Sequence, residues 1–345
     1  VQEVSNGSFS QEGSELVTNG SFDTDSDWTK GTGWSISGGT ANCDGTQTSS
    51  SDITQGLTTQ SGKSYKITYT ISEYTSGSIF VRLNSGNTTT SQSSVGTFTE
   101  YLSGENGTQI SLRASADFIG SIDNVSVREV GQDWTLNTGW SIGEDKAVAV
   151  TGAGSKLIQT NTLNGKTCKV TLTVSDYGGT SLILVDFGST SSSYITSNGT
   201  HTVYGTYDQD NFEIYKASGF SGSITNISVK EVGQNWALGT GWSIGEDKVV
   251  GDGTAFTDVS QTPILIQNKK IKLTFDVLDY VSGTFRIRPS DRQDGLDERF
   301  SGNGSYEVIY TSTVPYFRFQ QQALVGSITN ISVIEITDDT NLPRI

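Results

Sequence analysis

Three tandem antiparallel β-sandwiches, all-β throughout, are what this chain of 345 residues predicts, on three observations. The tryptophans fall into three pairs, Trp28 and Trp34, Trp134 and Trp140, Trp236 and Trp242, each ending in Gly-Trp-Ser-Ile. Apolar and polar residues alternate with period two at matching places in every copy. Apolar residues make up 33% and charged residues 17% of a chain with 40 glycines, a composition that suits short strands joined by many turns. A unit of roughly a hundred residues can bury a core of its own.

Taken in order, Val1-Gln2-Glu3-Val4 matches the closing Val127-Arg128-Glu129-Val130, so residues 1–14 are expected to be the end of a preceding repeat or a linker. The repeats are expected over 15–130, 131–232 and 233–336. Residues 337–345, with Asn341-Leu342-Pro343, read as a linker to a further C-terminal region. No proline-rich spacer separates the copies, which predicts short, stiff junctions.

Within each copy, Tyr65–Ile71, Cys168–Val174 and Ile271–Val277 place apolar residues at every second position, the mark of a strand with one wet face. A tyrosine follows an acidic residue soon after each: Glu73-Tyr74, Asp176-Tyr177 and Asp279-Tyr280. The closing strands are Ile122–Val127, Ile224–Val229 and Ile328–Val333. No stretch holds helical spacing for three turns, so two packed sheets per repeat follow. Trp34, Trp140 and Trp242 are expected in the cores, since they persist while the loops around them change. Cys43 and Cys168 occupy non-corresponding positions and read as free thiols, with Cys168 a small buried residue where Tyr65 and Ile271 stand in the other copies.

A net charge of -15 disfavours nucleic acid as a partner, and no apolar run is long enough for a helical membrane span. The one histidine, His201, reads as part of a Gly-Thr-His-Thr turn in a single copy, which disfavours a histidine-based triad and leaves no histidine-rich metal site. Glu73, Asp176 and Asp279 recur beside a tyrosine, which suits a turn better than a carboxylate pair for glycoside hydrolysis.

Asn19-Gly20-Ser21-Phe22-Asp23, followed by Trp28 and closed by Ile122–Val127, resembles the jelly-roll carbohydrate-binding modules appended to glycanases. The string of units, with Val-Gly-Gln-Asp-Trp joints and Gly-Trp-Ser-Ile-Gly-Glu-Asp-Lys openings, is similar to repeats in fibre and other virion proteins of marine tailed bacteriophages. The module resemblance implies a structural calcium ion in the first repeat, held by Asp23 and Asp123. The later copies depart from it: Thr225 and Thr329 replace the aspartate, and no Asn-Gly-x-Phe precedes Trp134 or Trp236 within their own repeats.

A carbohydrate-binding face should point outward and differ between copies. Alternation places Ile79, Val81, Leu182, Leu184, Phe285 and Ile287 inside, and Phe80, Arg82, Ile183, Val185, Arg286 and Arg288 outside. On a later strand it places Ser111, Arg113, Glu213, Tyr215, Arg318 and Gln320 outside. The candidate sugar contacts are thus Phe80, Arg82, Arg113, Tyr215, Arg286, Arg288 and Arg318; the plainer alternative is that the third repeat's arginines pair with Asp291, Asp294, Asp297 or Glu298.

The functional expectation is a non-enzymatic adhesion segment at a virion surface or outside the cell, with partners in a host's surface polysaccharide and other virion proteins. Fibres are commonly homo-oligomers, trimers among them. Two alternatives stand beside it: carbohydrate-binding modules of a secreted glycanase, and a ligand-free spacer or capsid decoration.

Overall fold

The structure is a computed structural model that describes residues 2–84, 86–179, 183–189, 192–262, 267–288 and 299–336. Strands and turns account for them, and no helix occurs among the described residues. In the first repeat one sheet runs Trp34–Ser37, Thr40–Asp44, Ile119–Val130, Ser64–Ser76, Gly96–Ser103. The facing sheet runs Thr29–Lys30, Ser51–Gly56, Gln109–Ala114, Ile79–Leu83, Asn87–Thr88. The second repeat repeats both orders strand for strand. All ladders are antiparallel, and the chain is an all-β assembly of sandwiches with jelly-roll-like character.

The alternating residues do what their period requires. Ile67 and Tyr69, Val170 and Leu172, Leu273 and Phe275 are almost fully buried between the sheets. The buried apolar side chains form three clusters, one in each repeat, and Trp34, Trp140 and Trp242 belong to them. Cys43 and Cys168 are buried and free. Burial pushes the Cys168 thiol up to about 12, which keeps it protonated.

The closing strands contain a bulge that the alternation demands. Ile122 and Val125 stand three apart yet both face inward, which a straight strand cannot provide. The ladder with Ser64–Ser76 therefore slips between Asp123 and Ser126. Asn124, Asn226 and Asn330 occupy this place with φ of 52, 54 and 52°, a left-handed conformation asparagine tolerates. In the third repeat Lys270–Ile287 and Phe317–Glu335 run unbroken through both sheets and join them into one.

Residues 2–11, which fall in the stretch expected to end a preceding repeat or serve as a linker, pack against the second repeat. Val4-Ser5-Asn6-Gly7-Ser8-Phe9 is a second copy of Val17-Thr18-Asn19-Gly20-Ser21-Phe22, and the two segments dock on different repeats. Residues 17–22 cover the first: Trp28 Nε1 donates to Asn19 O at 3.1 Å, and Val125 N to Gly20 O at 2.8 Å. Residues 4–9 cover the second in the same way: Trp134 Nε1 donates to Asn6 O at 3.1 Å, and Ile227 N to Gly7 O at 2.9 Å. Phe22 packs on Trp28 at 5.1 Å between centroids and Phe9 on Trp134 at 5.0 Å. The Asn-Gly-x-Phe of the second repeat is therefore present, delivered from ahead of the first. Residues 2–9 lie on the second repeat, the following residues build the first, and the chain then returns to the second.

Contacts at the junctions are direct. Ile142 N donates to Ser64 Oγ at 3.1 Å, and Tyr101 packs against the second repeat's core. Val232 packs against the third repeat's core, and Lys169 Nζ lies 3.7 Å from Asp247 Oδ2. The proposed tail at 337–345 lies outside the described residues.

Candidate functional site

The outer face of the sheet containing Ser51–Gly56, Ile79–Leu83 and Gln109–Ala114 carries the first repeat's candidate sugar contacts. Register puts Arg113 beside Asp52 on one side and Phe80 on the other, and Ser111 beside Arg82. Asp52 is the hub. Its Oδ2 accepts from Arg113 Nη1 at 3.0 Å and from Arg82 Nη2 at 3.3 Å, and its Oδ1 from Ser111 Oγ at 3.3 Å.

The same positions in the second repeat carry opposite charges. Lys156 replaces Asp52, Asp186 replaces Arg82, and Glu213 and Tyr215 replace Ser111 and Arg113. Lys156 Nζ pairs with Glu213 and, at 3.2 Å, with Asp186. The hydrogen bond to Glu213 holds the Lys156 ammonium above its ordinary pKa against the opposing effect of burial. Tyr215 is half-buried, with its hydroxyl against Gly154.

In the third repeat Asp258 holds the hub position, with Arg286, Arg288, Arg318 and Gln320 around it. Gln320 Oε1 accepts from Arg286 Nη2 at 2.6 Å, Arg286 Nε at 3.0 Å and Arg288 Nη1 at 3.2 Å. Arg318 Nη1 lies 3.4 Å from Asp258 Oδ2, with its guanidinium over the Tyr316 ring at 5.2 Å. Asp291, Asp294, Asp297 and Glu298, the alternative partners of these arginines, lie outside the described residues.

Alternation assigned the faces correctly in the first and third repeats and, in the second, at Glu213 and Tyr215, but not at Ile183, Leu184 and Val185. Ile183 and Val185 are fully buried, and Leu184 takes the outward place opposite Tyr215; Leu182 lies outside the described residues. An unbroken apolar run, Leu182-Ile183-Leu184-Val185, has no period to read. Ser111, Glu213 and Gln320 do lie on the outer face, yet longer neighbours cover them, and they are 1%, 7% and 6% exposed. The seven candidate residues thus form three patches, one per repeat, rather than a single site. The hubs Asp52, Lys156 and Asp258 escaped notice, although each stands three positions before an equivalent glutamine, Gln55, Gln159 or Gln261.

Asp23 and Asp123 are oxygen donors of the right kind for calcium. Asp23 Oδ2 accepts from Ser21 Oγ at 2.6 Å, and Asp123 from Asn124 N and Nδ2 at 2.6 and 3.0 Å. The carbonyls of Thr24 and Ser26 turn to the Asn19 amide. Among the described residues no three of His, Cys, Asp and Glu gather as a metal-binding group, so two carboxylates would need several further oxygens to reach calcium's roughly six to eight.

His201 lies on the Gly199–Thr206 strand rather than in a turn, with Nε2 2.9 Å from Ser197 O. The recurring acids beside the tyrosines hold buried serines of the closing strands: Ser121 Oγ donates to Glu73 at 3.2 Å, Ser223 to Asp176 at 3.3 Å and Ser327 to Asp279 at 2.8 Å. A cleft of about 550 Å³ between the first and second repeats, lined by Glu100, Tyr101, Glu144 and Asp176, is walled by the junction residue Tyr101. No known family model matches the chain, and no curated protein matches it significantly.

Proposed function

We propose that the chain is a non-enzymatic adhesion segment of a virion surface protein, such as a phage fibre. The first two repeats serve as spacers, and the third takes an acidic surface glycan of a bacterial host on its Arg286, Arg288 and Arg318 face. One observation supports this reading. Matching positions on one sheet face are rewritten in every copy, from Asp52 with two arginines, to Lys156 with two acids, to Asp258 with three arginines, over cores that keep their tryptophans. Guanidinium forks suit the carboxylates or sulfates of such a glycan. The virion setting comes from the resemblance of the joints and repeat openings. Tight internal ion networks on the first two faces favour a spacer role for those repeats.

Binding of the intact chain to an acidic host polysaccharide tests the reading. Arg286→Ala with Arg288→Ala should weaken it at least about tenfold, a loss of roughly 1.4 kcal/mol, and added salt should weaken it further. Arg82→Ala with Arg113→Ala should leave it unchanged. Equal binding by the third-repeat variant sinks the proposal. Calcium at Asp23 and Asp123 is a separate proposal read in the same samples: excess EDTA should lower the melting temperature of the first repeat alone, and an unchanged melt removes the ion.

A further inference from the structure

The duplicated N-terminal segment defines a docking groove that residues 15–22 and 2–9 fill on the first two repeats and that no described residue fills on the third. On the first repeat the edge of Ile119–Val130 beyond the bulge is lined by residues 15–22, and on the second the edge of Ser221–Glu231 by residues 2–9. A glutamine clamps each segment: Gln55 exchanges hydrogen bonds with Thr18 N and O at 2.8 and 2.6 Å, and Gln159 with Ser5 N and O, both at 2.9 Å. The third repeat keeps every receiving residue: Gln261 for the clamp, Trp236 for the aromatic contact, and Asn330-Ile331 for the bulge.

No described residue occupies the groove they form. Among the described residues neither the Gln261 amide nor Trp236 Nε1 makes a hydrogen bond, unlike their counterparts. Val333 is half-buried where Val127 and Val229 are fully buried, and Ile334 is 57% exposed. A groove of about 380 Å³ lies beside Trp236, Ile244, Val249, Asn330 and Ile331. An uncovered strand edge flanked by apolar side chains is a template for β-strand addition.

We propose that this edge binds an extended segment of the Val-Ser/Thr-Asn-Gly-Ser-Phe type from outside the described residues. The chemistry of the occupant follows from the filled grooves. A valine covers the closing strand, a phenylalanine meets the tryptophan, and a glycine passes where any Cβ would lie 1.9 or 2.0 Å from the bulge carbonyl. Residues 2–9 and 15–22 are themselves engaged, since Val4, Phe9, Val17 and Phe22 are all buried on the first two repeats. The groove is built from the strand edge at 331–335, Gln261 and Trp236 rather than from the arginines, so the inference does not rest on the glycan reading.

A labelled synthetic peptide of residues 2–11 added to the whole chain tests the site. Saturable one-to-one binding is expected, with new hydrogen-exchange protection at 331–335. Before peptide is added, those amides should exchange at least about tenfold faster than 125–129 and 227–231. Peptides with Phe9→Ala or Gly7→Ala should fail to bind. Gln261→Ala in the chain should weaken binding about tenfold without touching the core; if Trp236→Ala prevents folding, this variant carries the test. Absence of saturable binding, equal protection of the three edges before peptide, or protection confined to the second repeat each overturns the proposal. Self-association of the chain that the peptide dissolves would assign the groove to a second copy and also overturn it.

Discussion

Glu15 holds its segment against the first repeat through one carboxylate. Oε1 accepts from Leu16 N, Val17 N and Val127 N at 3.1, 3.0 and 2.8 Å, and Oε2 accepts from Ser126 Oγ at 2.6 Å. Burial alone would push the group's pKa up, but the Ser126, Val127 and Val17 bonds and the Arg128 charge together bring it below its ordinary 4.5. A carboxylate lowered on folding contributes stability that is fully present above its unfolded pKa. That contribution is lost as pH falls through the lower folded value. The first repeat should therefore lose melting temperature below about pH 4.5, and Glu15→Gln should flatten that limb. Gln2 shows that a neutral acceptor serves in the equivalent place, since it takes the Ser228 hydroxyl at 2.8 Å. A Glu15→Gln chain with an unaltered acid limb would place the sensitivity elsewhere.

At the level of the element, strand identity was legible where side chains alternate and obscure where they do not. Tyr65–Ile71 could be read from its period alone. Ile183–Asp186 could not, because a run of four apolar residues fits either face and only the ladder with Phe212–Lys216 sets it. The docking segments are governed by close approach rather than by period. A Cβ on Gly7 would stand 1.9 Å from Ile227 O, and one on Gly20 2.0 Å from Val125 O. Gly7→Ala should release Phe9 from Trp134 and cost the second repeat about 3–5 kcal/mol, as for loss of a buried phenylalanine. Gly20→Ala should do the same to the first repeat only. Denaturant melts followed by repeat-specific hydrogen exchange would separate the two, and a loss of less than about 1 kcal/mol would mean that the segment finds another path.

For the whole molecule, the first repeat is threaded between the opening segment of the second and the rest of it. Both Val4 and Phe9 belong to the same buried cluster as Trp134, Leu172 and Val229. Removal of residues 1–11 should therefore lower the melting transition of the second repeat, which lies more than a hundred residues downstream, and leave those of the adjoining first and the third in place. Calorimetry of the shortened chain checks this; a loss confined to the first repeat would contradict the interleaving. The three outward patches are separated in the same way, one on each sandwich, so a ligand contacting one need not contact another.

Fold class, the buried tryptophans, the free cysteines and the alternating strands were determined by the sequence itself, because burial on one face of a strand writes a local period into the chain. Phe80, Arg82 and Arg113 could be placed outward on the same ground. Their pairing with Asp52 could not, since cross-strand partners come from register between segments far apart in the chain. The role of residues 2–9 was equally hidden. Their likeness to residues 17–22 is visible in the letters, but two segments that differ only at Ser5 and Thr18 carry no local signal of which repeat each will cover. Only the tertiary structure decides that, through hydrogen bonds such as Ile227 N to Gly7 O that join residues remote in sequence.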